Sequence, residues 1–152
     1  MFNNEKDYFK PGNNGLPIFD IGKCKIGMLV CFDWMFPEVW RILALKGAEI
    51  ICHPSNFVLK DLALKALPCH ALTNKIYIIT SNRIGTEKEI VFTGNSQVIN
   101  PQGEILIKAS QSIEEAIVID IDISQARDKN VTCKNNIFDD RRSKEYTFLY
   151  RK

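Results

Sequence analysis

The sequence lacks any long apolar run. No stretch approaches the ~20 consecutive apolar residues that span a bilayer. The N-terminus, "MFNNEKDYFKPGNNG", is polar and turn-rich, without the apolar segment of a secretory leader. A cytoplasmic protein that engages no membrane is expected. An excess of one charge is lacking too: 20 Lys and Arg face 18 Asp and Glu, a formal net charge of +2. The basic residues are scattered and do not alternate with aromatics, so no nucleic-acid surface is expected. The five cysteines, Cys24, Cys31, Cys52, Cys69 and Cys133, are odd in number and include no C-x-x-C pair. That argues against a disulfide framework. Histidine is scarce, with only His53 and His70. Each follows a cysteine, but adjacent residues on a strand or helix point in different directions. No metal site is therefore expected from these spacings. Internal repeats and low-complexity segments are absent.

What is present suits one soluble domain over residues 1–152, with 45% hydrophobic and 25% charged residues. "PGNNG" (11–15) reads as a turn and "LPIFDIG" as a short strand, at an edge because of Pro17. "KCKIGMLVC" reads as a second strand, nearly continuous in apolar residues at its end, as for a strand buried on both faces. "PEVWRILALKG" predicts a helix. Pro37 suits its first position, Glu38 complements the helix dipole, and Gly47 stops it. "AEIICHPSN" predicts a buried strand. "LKDLALKALPCHALTN" is helical in composition, with Pro68 expected to kink or restart it. "KIYIITSNR" predicts another strand. "IGTEKEIVF" reads as a loop and a short strand. "GNSQVIN", "PQG" and "EILIKAS" predict a hairpin. "EAIVIDIDI" predicts a half-exposed strand, and "SQARDK" one helical turn. Strands alternating with helices, then a run of strands, predict a layered α/β sandwich with a mixed sheet.

Cys31 stands where a strand gives way to a helix. Backbone N–H groups at such a turn favour a thiolate and can hold an oxyanion. The logic is that of a nucleophile elbow, although G-x-S-x-G is absent. The competing reading is a small buried thiol. A nucleophile also needs a base. His53, at the end of the next strand, is one candidate, and a structurally satisfied histidine is the other reading of it.

The segment "GKCKIGMLVCFDWMFPEVWR" resembles the nucleophile region of the nitrilase superfamily, the carbon–nitrogen hydrolases. The shared pattern is a strand, Cys-x-Asp, Phe-Pro-Glu and an Arg three residues later, matched by Cys31, Asp33, Phe36, Pro37, Glu38 and Arg41. "YFKPGNNGLPIFDIGKCKIG", "GAEIICHPSNFVL", "IYIITSNRIGTE", "FTGNSQVINPQGEIL" and "FDDRR" resemble family segments in the same order, from Glu5 to about Tyr146. The resemblance implies an α-β-β-α sandwich, of which this chain is the C-terminal portion. It implies hydrolysis of a small amide, carbamoyl compound or nitrile through a cysteine thioester, without metal or organic cofactor.

Carried over residue by residue, Cys31 is the nucleophile, and the N–H of Phe32 contributes to the oxyanion hole. Glu5 matches a second glutamate that helps position substrate. Asp33, Pro37, Glu38 and Arg41 are expected to support the site, with Glu38 and Arg41 within reach of each other on one helix. Phe32, Asn56 and Phe57 are candidates for substrate contact. The family's general-base Glu and its Lys belong to segments upstream of the matched region, and Lys6 and Lys10 do not occupy the motif position. Where many members have Arg-Ala-x-Glu-Asn, this chain has "HALTN", so His70 and Thr73 stand in for a charged pair. The family forms dimers, and the tail from about 134 to 152 is expected to extend that interface. The alternative is a non-catalytic remnant, or a partner module of a complete hydrolase.

Overall fold

A computed structural model describes residues 4–150. The elements are α1 (Glu5–Tyr8), β1 (Ile18–Asp20), β2 (Lys25–Met28), a 3₁₀ turn (Cys31–Met35), α2 (Pro37–Leu45), β3 (Ile50–Ser55), α3 (Leu62–Asn74) and β4 (Tyr77–Asn82). They continue with β5 (Thr86–Glu87), β6 (Ile90–Val91), β7 (Gln97–Ile99), β8 (Ile105–Lys108), α4 (Ser124–Arg127), β9 (Asn130–Thr132), β10 (Asn135–Asn136) and a closing 3₁₀ segment (Ser143–Tyr150). Six strands form one sheet in the order β1-β2-β3-β4-β7-β8. β2, β3 and β4 run parallel, and β1, β7 and β8 join antiparallel. The carboxyl ends of the three parallel strands therefore meet at one edge of the sheet.

Helices α2 and α3 cover one face. Trp40, Leu43 and Ala44 of α2 and Leu67 and Ala71 of α3 pack on Ile51, Ile78 and Ile99 of the sheet, all nearly inaccessible. Each large side chain buried this way contributes about 1.5–3 kcal/mol. Gly27 lets α2 approach β2: a Cβ there would lie 2.7 Å from Ile51 Cδ1 and 3.1 Å from Leu43 Cδ1. On the other face Met28 and Ile79 are exposed and Cys52 is half-buried. The described residues thus supply one helix layer and one sheet of the expected four-layer sandwich. No helix among them is long and apolar enough to cross a membrane.

Two expectations need correction. "EAIVIDIDI" forms no strand, because no neighbouring strand among the described residues pairs with it. It crosses the sheet instead: Ile121 and Ile123 pack near Ile50 and Tyr77, and the Tyr77 hydroxyl donates to Asp122 O at 2.9 Å. Pro68 does not divide α3, which runs unbroken through it. Ala63 and Leu67 on one side of Pro68 and Ala71 on the other are anchored in the same core, and that packing outweighs the lost backbone bond.

Candidate active site

The turn after β2 is built around a strained cysteine. Cys31 has φ 43°, in the left-handed region that a non-glycine residue rarely occupies. Four side chains hold that turn through its backbone. Asp33 accepts the Val30 N–H at 2.8 Å, and Trp40 donates its indole N–H to Asp33 O at 3.1 Å. His53 Nε2 lies 3.0 Å from Cys31 O, and His70 Nε2 lies 2.8 Å from Trp34 O. Trp40 packs against both imidazoles, stacked on His70 at 4.8 Å and edge-on to His53 at 5.3 Å.

His53 thus grips the carbonyl of Cys31. It is buried, and burial lowers its pKa to about 4, so the ring is neutral at pH 7. With Nε2–H donated to Cys31 O and Nδ1 turned to Thr80 Oγ1 at 3.4 Å, it is spent as a support, and the satisfied-histidine reading is the one the geometry gives. Burial also lowers the pKa of His70. In the sequence both histidines show only as residues after a cysteine. Their role depends on β3 and α3 meeting at the turn, with Trp40 of α2 packed against both rings.

The Cys31 thiol is half-buried at the carboxyl end of the parallel strands, where ligands of open α/β sheets bind. The backbone N–H groups of Asn56 and Phe32 face its sulfur and favour the thiolate. Burial outweighs them, and the charges of Glu5 and Asp33 act in the same direction as burial, so the pKa is raised. An open cleft of about 850 Å³ holds Cys31, Glu5 and Asn56 in its walls. Phe32 and Phe57 instead line a narrow pocket of about 20 Å³ beside it. Phe57 is buried and belongs to the core.

Asn82, which sequence reasoning missed, fixes the loop that carries Asn56. Its Oδ1 accepts the Phe57 N–H at 2.8 Å, and its Nδ2 donates to Thr93 Oγ1 at 3.0 Å and Gly94 O at 2.5 Å. Its only sequence signal is a polar residue at a strand end. Of the supporting residues, Pro37 opens α2 as expected. Glu38 is exposed and forms no ion pair with Arg41 among the described residues. Arg41 reaches across to α3 instead, donating Nη2 to Thr73 O at 2.7 Å, and it lies 5.5 Å from the Phe138 ring centroid. Its Nη1 is buried without a hydrogen-bond partner among the described residues.

Among the described residues no group of His, Cys, Asp and Glu could hold a metal ion.

A family model for carbon–nitrogen hydrolases matches residues 2–130. The chain is 44% identical over 146 residues to a nitrilase from Pyrococcus abyssi, covering 96% of this chain and 55% of that protein. A carbon–nitrogen hydrolase from Helicobacter pylori G27 shares its fold with a TM-score of 0.86 at 31% identity, over 97% of this chain and 56% of the other. An amidase from Nesterenkonia sp. AN1, solved with acrylamide added at its active-site cysteine, matches with a TM-score of 0.83 at 26% identity, over 98% of this chain and 54% of that one. The chain spans about half the length of the curated relatives it matches. The mixed α/β sheet, its helices and the match across most of the sequence agree: the chain belongs to the carbon–nitrogen hydrolase family, the nitrilase superfamily.

Proposed function

We propose that this chain carries the nucleophile portion of a thiol-dependent hydrolase of non-peptide carbon–nitrogen bonds. Its substrates are small amides or carbamoyl compounds, and nitriles second. One observation carries the reading: Cys31 combines a left-handed backbone, a place on an open cleft, and two backbone N–H groups facing its sulfur. The Cys31 sulfur bonds to the carbonyl carbon. The carbon–nitrogen bond breaks and the amine leaves with a proton. Water then cleaves the thioester and restores the thiol. The N–H of Phe32 stabilises the oxyanion, Glu5 positions the amide, and Asn56 contacts substrate. Asp33 holds the turn, Pro37 opens the helix that follows it, and Arg41 ties that helix to α3.

The chain by itself is a weak catalyst. Its thiol pKa is raised, and no Lys, Arg or His lines the cleft among the described residues. A missing general base alone costs about 10²–10⁴ in rate. The base and the oxyanion lysine belong to the remainder of a full-length hydrolase. The setting is the cytoplasm, and the active assembly is a dimer whose interface includes the tail from residue 134. The raised thiol pKa also favours a second reading, a non-catalytic module that pairs with a complete relative. Ammonia release from an amide panel separates the two. This chain joined to the N-terminal half of a complete relative releases ammonia, and Cys31→Ala abolishes that release. Equal release by Cys31→Ala would sink the nucleophile assignment.

A further inference from the structure

The Cys31 carbonyl and the Phe32 N–H belong to one peptide unit. A trans peptide is planar, so its C=O and N–H point to opposite sides. No peptide among the described residues is cis. A group that grips the carbonyl on the buried side therefore turns the N–H toward the sulfur. His53 is that group: its Nε2 lies 3.0 Å from Cys31 O. The ring is itself boxed in, 1% exposed, with the Trp40 ring at 5.3 Å and the Phe57 ring at 5.6 Å. Burial keeps it neutral at pH 7, so it has a single N–H to place. Thr80, buried opposite His53 in the β3–β4 register, decides which nitrogen carries it. Its Oγ1 lies 3.4 Å from Nδ1, and a hydroxyl that donates there leaves the proton on Nε2, facing Cys31 O. Cys31 needs such a hold, because its left-handed backbone persists only where the surroundings enforce it.

We propose that His53 is a positioning residue for the oxyanion hole: by holding the Cys31 carbonyl on the buried side, it aims the N–H of the same peptide, that of Phe32, at the reacting atoms. Thr80 acts through it by fixing the tautomer of the ring. A hydrogen bond to the carbonyl also polarises the peptide and strengthens its N–H as a donor. The inference rests on Cys31 being the nucleophile and on Phe32 N–H being its oxyanion donor. The N–H that stabilises an oxyanion also stabilises the thiolate, so the test needs no turnover.

The pH profile of Cys31 alkylation by a neutral haloacetamide reads that stabilisation on the folded chain. The thiolate attacks the methylene carbon of the reagent, a carbon–sulfur bond forms and halide leaves. His53→Leu removes the donor, and His53→Gln keeps an N–H for Cys31 O. The charges of Glu5 and Asp33, which also act on the thiol, are the same in all three proteins. The labelling midpoint is expected to rise by about one pH unit in His53→Leu and to stay at the native value in His53→Gln. A merely structural loss moves the midpoint the other way, since a loosened turn frees the thiol from burial, the largest cause of its raised pKa. An unchanged or lowered midpoint in His53→Leu, or equal rises in the two variants, overturns the inference. Cys31 labelling ahead of Cys52 in the native chain then leaves the nucleophile assignment standing. No labelling of Cys31 at any pH overturns the assignment and the inference with it. The native chain supplies a second measurement that needs no variant. The imidazole nitrogen chemical shifts of His53 at neutral pH are expected to place its proton on Nε2, and a proton on Nδ1 overturns the inference.

Discussion

Acidification should strip support from the Cys31 turn through His53. The ring is 1% exposed, and burial sets its pKa at about 4, against 6.5 for an unperturbed imidazole. The bond to Cys31 O and the charge of Asp33 pull the other way, and His70 adds to the lowering. Between these two pKa values the unfolded chain binds the proton and the native chain does not, so stability rises with pH. The contribution is complete above pH 6.5 and is lost as the pH falls towards 4. A gap of about 2.5 pH units corresponds to about 3 kcal/mol in all, of which about 2 kcal/mol is gone by pH 5. Urea unfolding midpoints between pH 7.5 and 5, for the native chain and His53→Gln, measure it. Glutamine keeps an N–H for Cys31 O but does not titrate. The native chain is expected to lose about 2 kcal/mol more than the variant over this range. His70 titrates in both proteins and cancels. Parallel losses in the two, or an NMR titration of His53 near 6.5, would refute the reasoning.

Two further perturbations test the loops around the cleft. Asn82→Ala removes three hydrogen bonds and leaves the Phe57 N–H and Gly94 C=O buried, at a cost of about 2–4 kcal/mol. With a urea m-value of about 1–3 kcal/mol/M, the midpoint is expected to fall by at least about 0.7 M, and a shift under about 0.3 M would contradict the hub role. Gly94 has φ +55°, and a Cβ there would lie 2.7 Å from the Gln111 backbone. Gly94→Ala is expected to cost about 1–3 kcal/mol in the same assay. Gly12→Ala, with nothing within 4 Å of the new methyl, is the control, and equal effects would refute the packing argument.

Much of the fold was legible where local chemistry and tertiary context agree. Pro37 and Gly47 bracketed α2, the apolar runs became β2, β3 and β4, and Pro101 with Gly103 marked the turn between β7 and β8. Tertiary context overruled local signals elsewhere. Pro68 sits inside α3 because core residues on both sides hold the helix down. The 115–123 segment has strand composition but no ladder partner among the described residues. At the site, the sequence pointed to Cys31 and Asp33. It did not reveal the left-handed backbone of Cys31 or the grip of His53, His70 and Trp40 on the turn, since those contacts join residues 7 to 36 positions apart.

The nucleophile assignment is tested most directly by site-resolved alkylation of the folded chain with a haloacetamide, comparing Cys31 with Cys52. Both thiols are half-buried and burial raises the pKa of each, but only Cys31 lines the cleft and has backbone N–H groups facing its sulfur. Cys31 is expected to label faster than Cys52. Equal rates, or faster labelling of Cys52, would contradict the placing of the reactive sulfur at this turn.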